Sequence, residues 1–128
     1  MEQDKNPLSP HLQVYKWQIS SLLSITHRIV GVINIISITF ICLWVLSLFL
    51  GEDTYELVSF FLQTSFGKFL IISICWAFSF HILNEIRHLA WDLGYGFDLK
   101  VAKISGVAVF VGSFILTILF YTAGRSII

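Results

Sequence analysis

The chain has 128 residues, of which 56% are hydrophobic and only 12% are charged, and its mean hydropathy is +0.82. This composition excludes an ordinary soluble domain, in which charged residues are about twice as frequent. Eight Lys and Arg residues balance eight Asp and Glu residues, so the formal net charge is zero and binding to nucleic acid is not expected.

The first long apolar segment runs over residues 29–50 and contains no charged residue. At about 1.5 Å per residue, a helix of this length crosses a hydrocarbon core of about 30 Å. We therefore predict a first transmembrane helix, with an N-terminal extension from about residue 20. The segment is too long for the apolar region of a signal peptide. The acidic stretch 51–56 predicts a short loop outside the membrane, whereas residues 57–67 are ambiguous.

Two further apolar segments, at about 67–89 and 104–124, predict the second and third transmembrane helices. The second ends in the polar sequence HILNEIRH, and WDLGYGFD after it predicts a turn. We thus predict an all-α integral membrane protein, a single domain over residues 1–128 in which a short amphipathic segment precedes three transmembrane helices. Three helices enclose little interior, so we expect the bundle to be completed by another subunit. Small residues suited to close helix packing occur on the third helix at Gly106, Gly112 and Ser113.

Positive charge is unevenly divided between the two ends of the predicted helices. One end carries only Lys68, which can snorkel to the headgroups, and Arg125. The positive-inside rule places the other end, with the N-terminus, in the cytoplasm or the mitochondrial matrix. No transit peptide is evident, which favours a bacterial inner membrane over a mitochondrial one. The Lys and Arg residues of the richer end are Lys5, Lys16, Arg28, Arg87, Lys100 and Lys103.

Both cysteines, Cys42 and Cys75, lie inside apolar segments. They form no C-x-x-C pattern, and a structural disulfide has no particular use there. We therefore predict two buried free thiols.

A first group of polar residues lies where the first transmembrane helix begins. Ser24, His27 and Arg28 are spaced i, i+3 and i+4, so they share one face of a helix. Composition alone favours Arg28 as a positively charged anchor at the membrane interface, where Ser24 and His27 are hydrated. The alternative is a polar pocket in which Ser24 and Arg28 donate hydrogen bonds to a carbonyl group or an anion.

A second group lies at the end of the second predicted helix. His81, Glu85 and His88 are spaced i, i+4 and i+7, so they project from nearly one stripe. Each ionisable group at membrane depth costs about 2.5–3.5 kcal/mol, which indicates a function. A neutral imidazole here suits an axial ligand of haem b, and the alternative is an interhelical hydrogen bond without a cofactor.

His81 and His88 cannot serve the same iron. Seven residues of helix separate them by about 10 Å, whereas two axial nitrogens on one iron lie about 4 Å apart. If His81 binds haem, the second axial ligand therefore comes from another helix, which we expect on another chain.

The strings SPHLQVYKWQISSLLSITHRIVG and HILNEIRHLAWDLG resemble the cytochrome b anchor subunit of succinate dehydrogenase, the succinate:quinone oxidoreductase of respiratory complex II. The family pattern is a serine three residues before His-Arg, then His-x-x-x-Gly-Ile-Arg-His-x-x-x-Asp. The resemblance covers about residues 7–103. It implies a complex of a flavoprotein, an iron–sulfur subunit, this anchor and a second three-helix anchor, surrounded by membrane lipid. Succinate oxidation would occur in the partner subunits, and electrons would pass to ubiquinone.

The resemblance also implies roles for individual residues. It implies one haem b shared between the two anchors, with His81 as one axial ligand and the partner anchor supplying the other. The remaining implied contacts are His27, Arg87 and His88 near the haem propionates, and Ser24, Arg28 and Asp92 in the ubiquinone pocket.

Glu85 departs from the family pattern, which has glycine at this position. A glutamate one turn from His81 would clash with a porphyrin, hydrogen-bond to His81, or stay protonated through desolvation. A second hypothesis is therefore a haem-free structural anchor for the same catalytic subunits. A third, a transporter component with a proton relay, is disfavoured because the chain lacks internal repeats and has few helices.

Overall fold

In a computed structural model that describes residues 17–127, the chain folds into four helices. They are α1 (Ile19–Leu50), α2 (Glu52–Gln63), α3 (Ser65–Asp92) and α4 (Leu99–Ile127). No strand forms within the described range. Three helices, α1, α3 and α4, are long and apolar enough to cross a membrane, which confirms the predicted all-α architecture. Most of the predicted amphipathic N-terminal segment, including Lys5 and Lys16, lies outside the described residues.

The spanning helices are longer than their apolar segments. Helix α3 continues to Asp92 and α4 begins at Leu99, so that polar residues at the membrane surface are still helical. The helical backbone satisfies its own hydrogen bonds, which favours continuing the helix into the interface. The turn between them is shorter than WDLGYGFD, and positive φ angles of 87° and 82° at Gly94 and Gly96 shape it.

The prediction of a loop at 51–56 is wrong. Only Gly51 interrupts the helices, with a φ of 120°, and Glu52 and Asp53 form the first turn of α2. Carboxylates in a first turn interact favourably with the positive end of the helix macrodipole. The acidic stretch therefore begins a short helix that turns the chain back between α1 and α3.

Helices α2 and α3 meet at a tight corner. The Thr64 side chain caps α3 by accepting a hydrogen bond from the Gly67 N–H at 3.1 Å. A Cβ atom on Gly67 would lie 2.6 Å from the Leu62 Cα and closer still to the Phe61 carbonyl oxygen. The corner therefore brings backbone against backbone and requires glycine.

We expect Gly67→Ala to destabilise the protein by about 3 kcal/mol, because the added methyl group meets backbone that cannot move aside. The measurement is the thermal unfolding of the purified membrane complex. The matched control is Gly31→Ala, since a Cβ at Gly31 would meet no described atom within 4 Å. Equal unfolding midpoints for the two variants would contradict the backbone contact at this corner.

The spanning helices pack through small residues, as expected when lipid is as apolar as the protein interior. Cβ atoms on Gly106 and Gly112 would lie 2.5 Å from a Leu23 methyl and 3.0 Å from a Leu83 methyl, so both glycines permit close approach. The apolar core that they adjoin consists of Leu23, Val30, Ala77, Phe80 and Val109.

Several buried hydroxyl groups bond within their own helix. Ser79 donates to the Cys75 carbonyl at 2.7 Å, and Thr117 donates to the Ser113 carbonyl at 2.6 Å. The same type of bond is made by Ser37, Ser47 and Ser113. These groups are therefore buried without needing a partner on another helix.

The two cysteines are free thiols, as predicted, but only Cys75 is even half-buried. Cys42 is exposed on the outside of α1, because a chain of three spanning helices leaves most of its apolar surface to lipid or to other subunits. The prediction that Cys42 is buried is wrong.

Candidate functional site

The structure joins the two polar groups into one cluster between α1 and α3. The His27 and His81 rings stack with their centroids 4.7 Å apart and their planes 8° from parallel. The His88 ring lies 5.6 Å from that of His27. The Glu85 carboxylate approaches the Nε2 atom of His27 at 3.3 Å and that of His81 at 3.8 Å.

Helical spacing places these histidines at the edge of the packed surface. On α1, Leu23 and Val30 lie one turn before and after His27, and they are 1% and 0% exposed. On α3, Phe80 and Asn84 flank His81 and are also buried. The side chains of His27 and His81 are 26% and 34% exposed, so the cluster is anchored on one side and open on the other.

A cavity of about 230 Å³ adjoins the cluster. The Ser24 hydroxyl lies in its wall and makes no hydrogen bond with residues 17–127, so it is available to a ligand. The buried Asn84 Oδ1 also has no hydrogen-bond donor within the described chain. The cavity is lined by Ser20, Leu23, Ser24, His27, Asn84, Arg87, His88 and Trp91.

Arg87 forms part of the cavity wall and also ties α3 to α4. Its side chain is buried, and Nε donates to the Ser105 hydroxyl at 3.0 Å while Nη2 donates to the Ala102 carbonyl at 3.0 Å. The guanidinium stacks over the Trp91 ring at 4.1 Å from the centroid, a favourable cation–π contact. These contacts hold α4 against the site. The propionate contact implied for Arg87 stays a prediction.

His88 has a defined proton position. Its Nδ1 atom lies 2.8 Å from the Asn84 backbone carbonyl, which can only accept, so Nδ1 donates. In the neutral ring, Nε2 is then left with a free lone pair. The Nδ1 atoms of His27 and His81 are buried and have no hydrogen-bond partner in the described part of the chain.

Arg28 and Asp92 are not brought into this cavity. Both are exposed, Arg28 on α1 and Asp92 at the last residue of α3. Neither makes a side-chain hydrogen bond or an ion pair within residues 17–127. Their implied roles in a quinone pocket stay predictions that require a surface beyond this chain.

Four residues of the cavity wall were not identified from the sequence, namely Ser20, Leu23, Asn84 and Trp91. Asn84 had a signal in the sequence, because an amide within a transmembrane helix is costly unless it is used, and this one lies three residues after His81. Trp91 was placed only in the predicted turn. Its indole N–H donates to the Gly96 carbonyl at 3.1 Å, which fixes the ring beside Arg87.

Two modes of metal binding are chemically open to the cluster. Ligand atoms of His27, His81 and Glu85 lie within 4.8 Å of one another, a spacing that a single transition-metal ion can span. His81, whose side chain is one-third exposed, can also act as a lone axial ligand to a metal held by a prosthetic group.

A helical bundle with three spanning helices and an imidazole cluster beside a polar cavity defines a membrane protein with a candidate ligand or cofactor site between its helices. Residues 2–120 match the family described as succinate dehydrogenase/fumarate reductase transmembrane subunit. The chain belongs to this family, whose members are subunits of oxidoreductase complexes. The resemblance drawn from two short motifs is thereby confirmed over nearly the whole chain.

Individual relatives agree with this assignment. The chain is 40% identical over 118 residues to the succinate dehydrogenase cytochrome b556 subunit of Rickettsia conorii, with 92% of each chain covered. It is 32% identical over 113 residues to the corresponding subunit of Paracoccus denitrificans, with 88% of this chain and 87% of the relative covered. It is 38% identical over 110 residues to the mitochondrial succinate dehydrogenase cytochrome b560 subunit of Mus musculus, with 82% of this chain and 63% of the relative covered. Three spanning helices and such relatives indicate a protein of a bacterial or mitochondrial inner membrane.

Proposed function

We propose that this chain is a membrane anchor of a succinate dehydrogenase, in which it helps to bind one haem b and ubiquinone. Electrons from an iron–sulfur subunit would reach quinone here, and succinate itself would be oxidised in a partner flavoprotein. The observation that carries the proposal is the stacking of His27 on His81 beside a cavity that contains Ser24, because it unites the two family motifs in one site.

The cluster fits a haem in the chemistry of its donors. His81 has a buried Nδ1 atom, so Nε2 is the nitrogen that remains for an iron outside the helix. His27 and Arg87 would supply hydrogen-bond donors for the propionates, whereas the Nδ1–H of His88, which is also proposed for the propionate region, is already donated to the Asn84 carbonyl. The exposed third of His81 is not covered by the described residues, so we assign the second ligand and the opposite wall to a second anchor subunit. When bound, haem b supplies a one-electron carrier at this position.

The contacts of Glu85 differ from those expected from the sequence. Its carboxylate is nearer to His27 than to His81, so it bridges α1 and α3. The 3.8 Å approach to the His81 Nε2 nevertheless puts a carboxylate beside the atom that would bind iron. This contact favours the second candidate function, a haem-free anchor of the same catalytic subunits.

The quinone site is proposed at the cavity beside Ser24. Its volume of about 230 Å³ is below the range of about 300–1,000 Å³ usual for ligand pockets, so partner subunits would complete it. Ser24 would donate a hydrogen bond to one quinone carbonyl, and Arg28, one turn along α1, would polarise it. Water or Asp92 would supply protons.

We expect Ser24→Ala to raise the KM for ubiquinone about fivefold, because one hydrogen bond of about 1 kcal/mol is lost. The measurement is succinate-dependent ubiquinone reduction at varied quinone concentration. Thr26→Ala is the matched control, since the Thr26 hydroxyl donates to the Leu22 carbonyl at 2.8 Å and does not line the cavity. A KM equal to that of the control would remove Ser24 from the quinone site.

The proposed function as a whole is tested by purifying the membrane complex through a tag on this chain. We expect a flavoprotein, an iron–sulfur protein and a second anchor to co-purify, and the preparation to reduce ubiquinone with succinate. Topology mapping by cysteine labelling should place the turn at residues 93–98 on the cytoplasmic or matrix side. Purification of this chain without any succinate-oxidising subunit would refute the assignment.

A further inference from the structure

A second groove lies at the opposite end of the bundle from the histidine cluster. It has a volume of about 520 Å³ and runs between the beginning of α3 and the end of α4, where the end of α2 also contributes. Lys68 of α3 and Arg125 of α4 both line it. They are the two cations that the described helices carry at this end, and both lie at one groove.

The positive charge of this groove is not compensated by any residue that the structure describes. Within residues 17–127, neither Lys68 nor Arg125 forms an ion pair, and no carboxylate is among the lining residues. The acidic side chains at this end, Glu52, Asp53 and Glu56, belong to the start of α2 and do not line the groove.

Lys68 runs against simple electrostatic preference. It stands near the N-terminus of α3, where the helix macrodipole disfavours a positive charge, whereas Arg125, in the last turn of α4, is favoured by its own helix. By the positive-inside rule this side of the membrane is poor in Lys and Arg, yet both residues line one groove. An anionic ligand would offset the unfavourable position of Lys68.

Most of the other lining residues are apolar, and those on α3 and α4 belong to helices that are apolar enough to cross a membrane. Ile71 and Cys75 on α3 face Phe120 on α4, and the groove is open to the outside of the bundle. Tyr121 and Gln63 also line the groove. The Tyr121 hydroxyl can donate a hydrogen bond, and the Gln63 amide, which donates to the Ser59 hydroxyl at 3.3 Å, has a second N–H. A ligand that fits must combine a negative head with an apolar tail.

We propose that this groove binds an anionic phospholipid, with its phosphate between Lys68 and Arg125 and an acyl chain along Ile71, Cys75 and Phe120. The lipid surrounds the chain at high local concentration, and basic sites between transmembrane helices are suited to anionic headgroups. The site is independent of the histidine cluster and of the proposed quinone pocket, so it holds for the haem-free anchor as well.

The test is made on the complete complex purified in neutral detergent. Phosphatidylglycerol or phosphatidylcholine is added, and the lipid retained is counted by native mass spectrometry. We expect the complex to retain phosphatidylglycerol in preference to phosphatidylcholine. The double variant Lys68→Gln with Arg125→Gln should weaken phosphatidylglycerol binding about 30-fold, because two charge interactions with the lipid are lost. The exchange of Lys68→Arg with Arg125→Lys should preserve it.

The matched control is Lys100→Gln with Lys103→Gln, which removes the same charge from the other end of the bundle. Equal retention of the two lipids, or an equal loss in this control, would overturn the proposal. Loss of a co-purifying protein with the Lys68 and Arg125 double variant would assign the groove to a protein partner and would also overturn it.

A measurement on the unmutated complex covers the case in which the double variant fails to assemble. Phosphatidylglycerol with a photoreactive group in its acyl chain should cross-link to peptides around Ile71, Cys75 and Phe120. Labelling confined to other surfaces of the complex would contradict the site.

Discussion

Replacing His81 with alanine is expected to abolish the b-type absorption band of the complex purified through this chain, while the catalytic subunits still co-purify. The imidazole is the candidate axial ligand, and alanine offers no donor to iron. The measurement is a dithionite-reduced minus oxidised spectrum. Ile82→Ala is the matched control, because Ile82 follows His81 on α3, projects from a different face of the helix and is 49% exposed.

Other outcomes of this spectrum would change the assignment in defined ways. A band that persists in His81→Ala would exclude His81 as the ligand and direct attention to His27, whose ring lies 4.7 Å away. A wild-type complex without any band would support the haem-free anchor. In that case Glu85→Gly, which removes the carboxylate beside the His81 Nε2, is the variant expected to restore haem binding.

The second large effect is expected from Arg28→Leu. We predict that it lowers succinate-dependent ubiquinone reduction about 100-fold, because an interaction with charge that develops on the quinone oxygen is lost. Reduction of a soluble dye by succinate should be unchanged, since that reaction does not use the quinone site. Arg28 is exposed and unpaired within residues 17–127, so its loss breaks no contact described inside this chain.

The control for this variant is Lys100→Leu, which removes a positive charge from the same end of the bundle. Its quinone reduction should match that of the wild type. Parallel losses of quinone and dye reduction in Arg28→Leu would instead show that Arg28 serves assembly of the complex, and the quinone role would be withdrawn.

The membrane architecture was predictable because span length and apolarity are direct physical requirements of a bilayer. Helix α2 was not predictable, because the sequence of its acidic first turn is also typical of a loop. In the structure only Gly51, with a φ of 120°, separates α2 from α1. Hydropathy alone cannot distinguish a short surface helix from a loop when polar and apolar residues are mixed.

The sequence identified some of the residues that line the cavity, but it missed Asn84 and Trp91 and did not predict the arrangement. Helical spacing grouped His81 with His88, and the family pattern added His27, yet the stacking of His27 on His81 depends on how α1 and α3 are rotated about their axes. For the same reason the pairing of Glu85 with His27 was not foreseen. Arg87 was expected at a ligand, whereas its buried contacts with Ser105 and Ala102 depend on the position of α4.

The hydrogen bonds of Arg87 couple the cavity wall to α4. They hold α4 onto α3 through Ser105 and Ala102, whereas buried hydroxyls that bond within their own helices add no such link. A neighbouring subunit that displaces α4 would therefore re-aim the Arg87 guanidinium, which lines the cavity, without touching the cavity itself.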